Sequence, residues 1–240
     1  MARRCPLPPV FRACLATARS ALLLAAGFLC TPAARAEPVT YFYSDLPPFE
    51  YSNSDGAATG LGISRVDKLL RQAGFQPKFE FYSLSRGLQA LENHIDFSAV
   101  VAPTPAQRRE LKISVAPVYL AELGVVRLRS TKRLSSLEQL QHYPYLALSE
   151  TRFAFLQQRP ELAAFAVKRY DIGNQQDAYR LLLSGRYDYY LCYHASDVAL
   201  SNPMLVFDSF EQLPVYLMLS RQHPDAERLM QRVDAVLAKP

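Results

Sequence analysis

The apolar positions fall into two successive series of short strands and helices. Residues 39–44 (VTYFYS) are β-rich and stop at Asp45-Leu46-Pro47-Pro48, where consecutive prolines cannot continue a hydrogen-bonded ladder. Residues 56–62 read as a glycine-bearing loop. Val66, Leu69, Leu70 and Ala73 then recur at helical spacing over residues 64–73, and Gly74 supplies a stop. Residues 78–82 alternate as a strand, residues 85–93 carry Leu88 and Leu91 on one helical face, and residues 96–102 form an apolar strand. Strand, helix, strand, helix, strand predicts right-handed crossovers and a mainly parallel sheet.

A second series repeats the pattern. Residues 145–149 and 166–170 read as strands, with short helices over 154–156 and 161–165 around Pro160. Residues 175–184 form a helix with Ala178, Leu181 and Leu182 on one face; Gly185 closes it and residues 187–193 form a strand. Apolar strands flank this series, at residues 124–129 before it and 215–220 after it, and a C-terminal helix covers 224–237. The expected architecture is therefore α/β, with two lobes joined by two crossing strands. Lobe 1 would comprise residues 37–127 and 216–240, and lobe 2 residues 128–215. Such a pair binds ligands in the cleft, at the carboxyl ends of the strands.

Composition changes this picture mainly at the N-terminus. Half the residues are hydrophobic and 20% are charged, which excludes collagen, coiled coil and a disordered tail. The formal charge of +5 hints at nucleic acid. Residues 1–36, however, hold Arg3, Arg4, Arg12, Arg19 and Arg35 and no acid, so the excess lies there and the remainder is balanced. No nucleic-acid partner is expected. The arginines precede a ten-residue apolar run at 21–30 (ALLLAAGFLC), too short for a hydrocarbon core of about 30 Å and suited to a signal peptide. Ala34-Arg35-Ala36 is a small-x-small cleavage pattern. The segment 1–36 is thus expected to direct export to the periplasm by the general secretory route, with cleavage after Ala36. Cys5, Cys14 and Cys30 would leave with it; the remaining Cys192 sits in a strand-like run and reads as an inert core thiol.

Catalytic and metal motifs are missing. The sequence has no HExxH, no paired CxxC, no glycine-rich phosphate loop and no GxSxG, and His94, His142, His194 and His223 are scattered. Ser196 and Asp197 lie too near His194 in the chain to form a triad with it. Neither a cofactor nor a metal is expected.

Four segments carry a resemblance to the periplasmic solute-binding proteins of family 3, the amino-acid-type receptors of ABC transporters. They are Asp45-Leu46-Pro47-Pro48-Phe49-Glu50-Tyr51, Gly60-Leu61-Gly62-Ile63 with the helix after it, Thr104-Pro105-Ala106-Gln107-Arg108 running on to Pro117-Val118-Tyr119, and Gly185-Arg186-Tyr187-Asp188. The resemblance implies a type II periplasmic binding fold that closes by hinge bending on a small-molecule ligand. It further implies a monomeric, non-enzymatic receptor that delivers its ligand to a membrane permease or a sensor.

The chain departs from the family where the ligand's charges are gripped. The family places an Arg three residues after the signature Thr, to hold an α-carboxylate by a bidentate pair. Here that position is Gln107, and Arg108 lies one residue later, turned by about 100° on a helix. The family's amine-binding Asp falls at Tyr193, and its second-lobe Gly-Thr turn is replaced by Ser149-Glu150-Thr151-Arg152. The resemblance thus implies a receptor without the usual amino-acid clamp. The candidate ligand-binding residues are Asp45, Phe49, Tyr51, Arg86, Thr104, Arg108, Glu150, Thr151, Arg152 and Tyr193, with arginines as cations and aromatics as walls. Strand alternation lets only one of Tyr190 and Tyr193 face the cleft, and Tyr193 is preferred. Two alternatives stay open: a dehydratase-like enzyme using Glu150 and Arg86, and an orphan receptor that regulates a membrane sensor.

Overall fold

A computed structural model describes residues 36–148 and 168–239. The elements run β1 (Glu37–Tyr43), β2 (Tyr51–Ser52), β3 (Ala58–Thr59), α1 (Leu61–Gln72), β4 (Phe75–Phe81), α2 (Leu84–Ala90), β5 (Ser98–Val101), α3 (Pro105–Glu110) and β6 (Leu111–Ile113). They continue with β7 (Tyr119–Leu128), α4 (Leu137–Leu140), β8 (Tyr145–Leu148), β9 (Arg169–Ile172), α5 (Gln175–Leu183), β10 (Tyr189–His194), β11 (Leu205–Ser220) and α6 (Ala226–Leu237). The helices expected at 154–156 and 161–165 lie outside the described residues, as do Glu150, Thr151 and Arg152.

β1 and β4 pair in parallel from Glu37↔Phe75 to Tyr43↔Phe81, and Tyr41 bridges Phe97 in parallel, just ahead of β5. β5 and β6 pair antiparallel with the C-terminal part of β11. In the other half, β10, β8 and β9 run parallel, and β10 pairs antiparallel with β7. β7 and β11 pair with each other from Leu128↔Leu205 to Tyr119↔Val215 and link the two strand sets. The protein has a two-lobe α/β fold in which these are the crossing strands.

β11 is far longer than the sequence pattern suggests. Asp208, Ser209, Glu211, Gln212 and Pro214 interrupt its apolar run, but local contacts accommodate them. Asp208 is buried against Arg127 of β7, at 2.6 Å from Nε and 3.1 Å from Nη2, and a register shift between Ser209 and Glu211 absorbs the polar stretch. Gly124 of β7 lies opposite Ser209. A Cβ there would stand 2.1 Å from the Asp208 carbonyl oxygen, so no other residue fits where the strands approach.

Alternation along the strands explains the cores. Tyr41 and Tyr43 pack with Val66, Leu70, Leu229 and Met230, while Phe42 packs on the opposite face with Leu91 and Ile95. β1 is therefore covered on both sides, as a parallel strand requires. In β10, Tyr189, Leu191 and Tyr193 face one cluster, and Tyr190 and Cys192 face the cluster under α5. Cys192 is buried, and burial pushes its thiol pKa up, away from thiolate chemistry. At the start of β1, the Glu37 carboxylate accepts hydrogen bonds from Arg228 and Arg232 of α6, which ties the two ends of the described chain together.

Candidate functional site

The carboxyl ends of β1, β5 and β10 meet at a cavity of about 130 Å³. That is roughly ten times the ~10–15 Å³ a single water needs. The residues following β1 and the length of β5 form much of its wall, Tyr119 at the head of β7 forms another part, and Tyr193 reaches it from β10.

A tight chain reversal after β1 shapes one side. Leu46 N–H donates to the Glu50 carbonyl at 2.7 Å, and Phe49 and Glu50 N–H groups donate back to the Leu46 carbonyl at 3.0 and 3.1 Å. The Pro47–Pro48 bond within the reversal is cis. The loop is held from behind by α1, whose first amides, Leu61, Gly62 and Ile63, donate to the Pro48 and Phe49 carbonyls at 2.9–3.2 Å. No side chain caps this helix; loop carbonyls do so instead. Gly60 makes the approach possible: its φ is 122°, and a Cβ would lie 2.2 Å from the Phe49 carbonyl oxygen. The PPFEY and GLGI segments are thus one packed unit.

The reversal folds Glu50 back beneath β1. Glu50 is only 6% exposed, lines the cavity, and accepts a hydrogen bond from the Tyr41 hydroxyl at 2.5 Å. Burial raises its pKa from 4.5 to about 7, partly opposed by the Tyr41 hydrogen bond. Burial, followed by the Glu50 charge, pushes the Tyr41 and Tyr119 phenols up. Phe49 stacks on Tyr119 with ring centroids 5.4 Å apart and planes inclined by 15°.

α3 shapes the opposite side. Thr104 is its N-cap, and a capping box joins it to Gln107: the Thr104 hydroxyl accepts from the Gln107 N–H at 3.2 Å, and Thr104 N–H donates to Gln107 Oε1 at 2.9 Å. Gln107 lines the cavity with its carboxamide oxygen engaged, so the amide NH₂ is its remaining donor.

The candidates named from sequence separate accordingly. Asp45 and Tyr193 line the cavity. Phe49 is buried one layer behind it, against Tyr119. Thr104 is buried and its hydroxyl serves the capping box. Tyr51 is half-buried in β2 and is not among the lining residues. Arg86 is exposed on α2 and also away from the described lining. Arg108 turns aside, with its guanidinium 5.2 Å from the centre of the Tyr216 ring. Tyr190 belongs to the core under α5. Sequence reading missed Glu50, Tyr119 and Ser98 as lining residues. No local spacing links Glu50 to Tyr41; the turn at the prolines creates the contact.

No protein-family model matches the chain, and no curated protein matches it in sequence. Solved structures do resemble it. The arginine-bound truncated ArgBP of T. maritima shares 20% identity over 85% of this chain and 96% of its own, with a TM-score of 0.65. Tv2483 bound to L-arginine shares 18% identity over 85% of this chain and 84% of its own, with a TM-score of 0.66. A histidine kinase sensor domain with similarity to periplasmic binding proteins shares 16% identity over 85% and 90%, with a TM-score of 0.67. The fold is that of the type II periplasmic binding proteins.

Proposed function

We propose that the protein is an exported solute-binding protein that captures a small polar ligand between its lobes and presents the closed form to a membrane partner. Segment 1–36 acts as the signal peptide, removed after Ala36. Residues 37–127 with 216–240 form one lobe, residues 128–215 the other, and β7 and β11 carry the hinge. Asp45, Glu50, Gln107 and Tyr193 contact the ligand. The partner is an ABC-type permease or a sensor of the kind that structural likeness to a histidine kinase sensor domain suggests.

One observation supports this reading most. A cavity lined by both polar and apolar groups lies where strand ends from both halves converge, beside the two strands that link them. Thermal unfolding against a broad metabolite panel tests it. A ligand at 100 times its Kd adds about 2.7 kcal/mol of stability, and hinge closure lowers the radius of gyration in solution scattering. A panel in which no compound stabilises the protein overturns the proposal.

A further inference from the structure

The lining of the cavity has a sign. Its ionisable carboxylates are Asp45 and Glu50, its other polar side chains include Ser44, Ser98 and Gln107, and no Lys, Arg or His lines it among the described residues. A ligand carboxylate brought here would meet the like charge of Glu50. It would be desolvated with no counter-ion among the described residues, and the penalty for that is severe in a medium of low dielectric.

A ligand cation meets the reverse situation. Glu50 is more than nine-tenths buried, and among the described residues it accepts a side-chain hydrogen bond only from Tyr41, through Oε1. Oε2 is left to accept from whatever enters. The pKa of about 7 reflects the cost of burying this charge. The remaining wall is hydrocarbon and aromatic, including Leu84, Leu88, Val215 and Met218 with the Tyr119 and Tyr193 rings. Such a wall covers a carbon skeleton and offers π-faces to a positive centre. A bare metal ion suits it poorly, and no group of three or more His, Cys, Asp or Glu side chains able to hold one occurs among the described residues.

Building on the receptor reading, we infer that the ligand is a small organic cation, an amine or guanidine on an apolar body without a carboxylate, with Glu50 as its counter-charge. Gln107 offers a neutral NH₂ donor in place of a carboxylate anchor.

Matched pairs test this class directly. Tyramine, phenethylamine, putrescine and agmatine are each compared with the parent amino acid, and with phenylpropionate as the acid lacking an amine, by thermal unfolding and calorimetric titration. The expected result is that at least one amine raises the melting temperature and binds at least roughly tenfold more tightly than its parent amino acid, about 1.4 kcal/mol. Glu50→Gln should weaken that amine by a similar factor while its far-UV spectrum stays native. An amino acid or acid that binds as tightly as the amines overturns the inference and leaves the receptor reading standing. Failure of every amine at millimolar concentration also overturns it. The receptor reading itself falls only if the broad metabolite panel is silent as well. Unchanged amine affinity in Glu50→Gln removes Glu50 from the role.

Discussion

Asp208 and Glu50 are equally deep, each 6% exposed, yet their surroundings are opposites. Asp208 faces the Arg127 guanidinium across the crossing strands and also accepts the Leu134 N–H at 3.3 Å. Glu50 faces one phenol, and its pKa is raised to about 7. The contrast separates two uses of a buried charge. A paired charge fixes geometry, here the mutual register of β7 and β11 next to the Ser209/Glu211 irregularity. An unpaired one is a cost the fold bears without return, and it is found at the wall of the cavity.

The largest effect is expected from Asp208→Ala. Removing it strands the buried Arg127 guanidinium, and breaking a buried pair costs about 3–5 kcal/mol. Urea unfolding measures this; a loss below about 1 kcal/mol would mean that other contacts hold the crossing strands and that the pair is incidental.

The second effect has the opposite sign. Between the ordinary 4.5 and about 7, the folded protein holds a proton on Glu50 that the unfolded chain has released. Stability therefore falls as pH rises through this window. Glu50→Gln keeps an oxygen for the Tyr41 hydroxyl and carries no charge. It should remove that slope and gain up to about 3 kcal/mol above pH 7, with little change near pH 4. Unfolding curves at pH 4 and 8 decide the matter. Equal destabilisation at both values would make Glu50 a plain hydrogen-bond acceptor and dissolve the contrast with Asp208.

The same contrast explains what could be read from the sequence. The helical stripe Val66, Leu69, Leu70 announced α1, and the β-rich run at residues 39–44 announced β1, because periodicity reports which face is buried. Val215 to Ser220 announced only the end of β11, since Asp208 through Pro214 look like a loop until the Arg127 side chain of β7 reaches Asp208. Arg127 and Asp208 are far apart in the chain, and nothing local couples them. Glu50 was hidden for the same reason: its burial depends on a reversal at Pro47–Pro48 and on the α1 amides behind it. Gln107 was visible as a departure from the family pattern, while its capping box with Thr104 emerged only in the structure. Position in the cavity was harder to foresee for Arg86 and Arg108, because both side chains are long and their exposure is decided by neighbours such as Tyr216.

A third carboxylate gives the smallest and most discriminating test, since it has cations without depth. Glu37 is 34% exposed and bonded to both Arg228 and Arg232. Hydrogen bonds from Arg228, with those of Arg232 and both charges, outweigh burial and hold its pKa at about 2. Its contribution is thus present above the unfolded value of 4.5 and lost as pH falls toward 2. Solvent screening cuts its worth, so Glu37→Gln should cost only about 1 kcal/mol at neutral pH. Most of that should vanish near 1 M salt, where the screening length is about 3 Å. If the loss instead matched that of Asp208→Ala and ignored salt, pairing alone would set the value of a carboxylate here. Depth would then no longer explain why Glu50, as buried as Asp208 and without a cation among the described residues, is the group left to attract one.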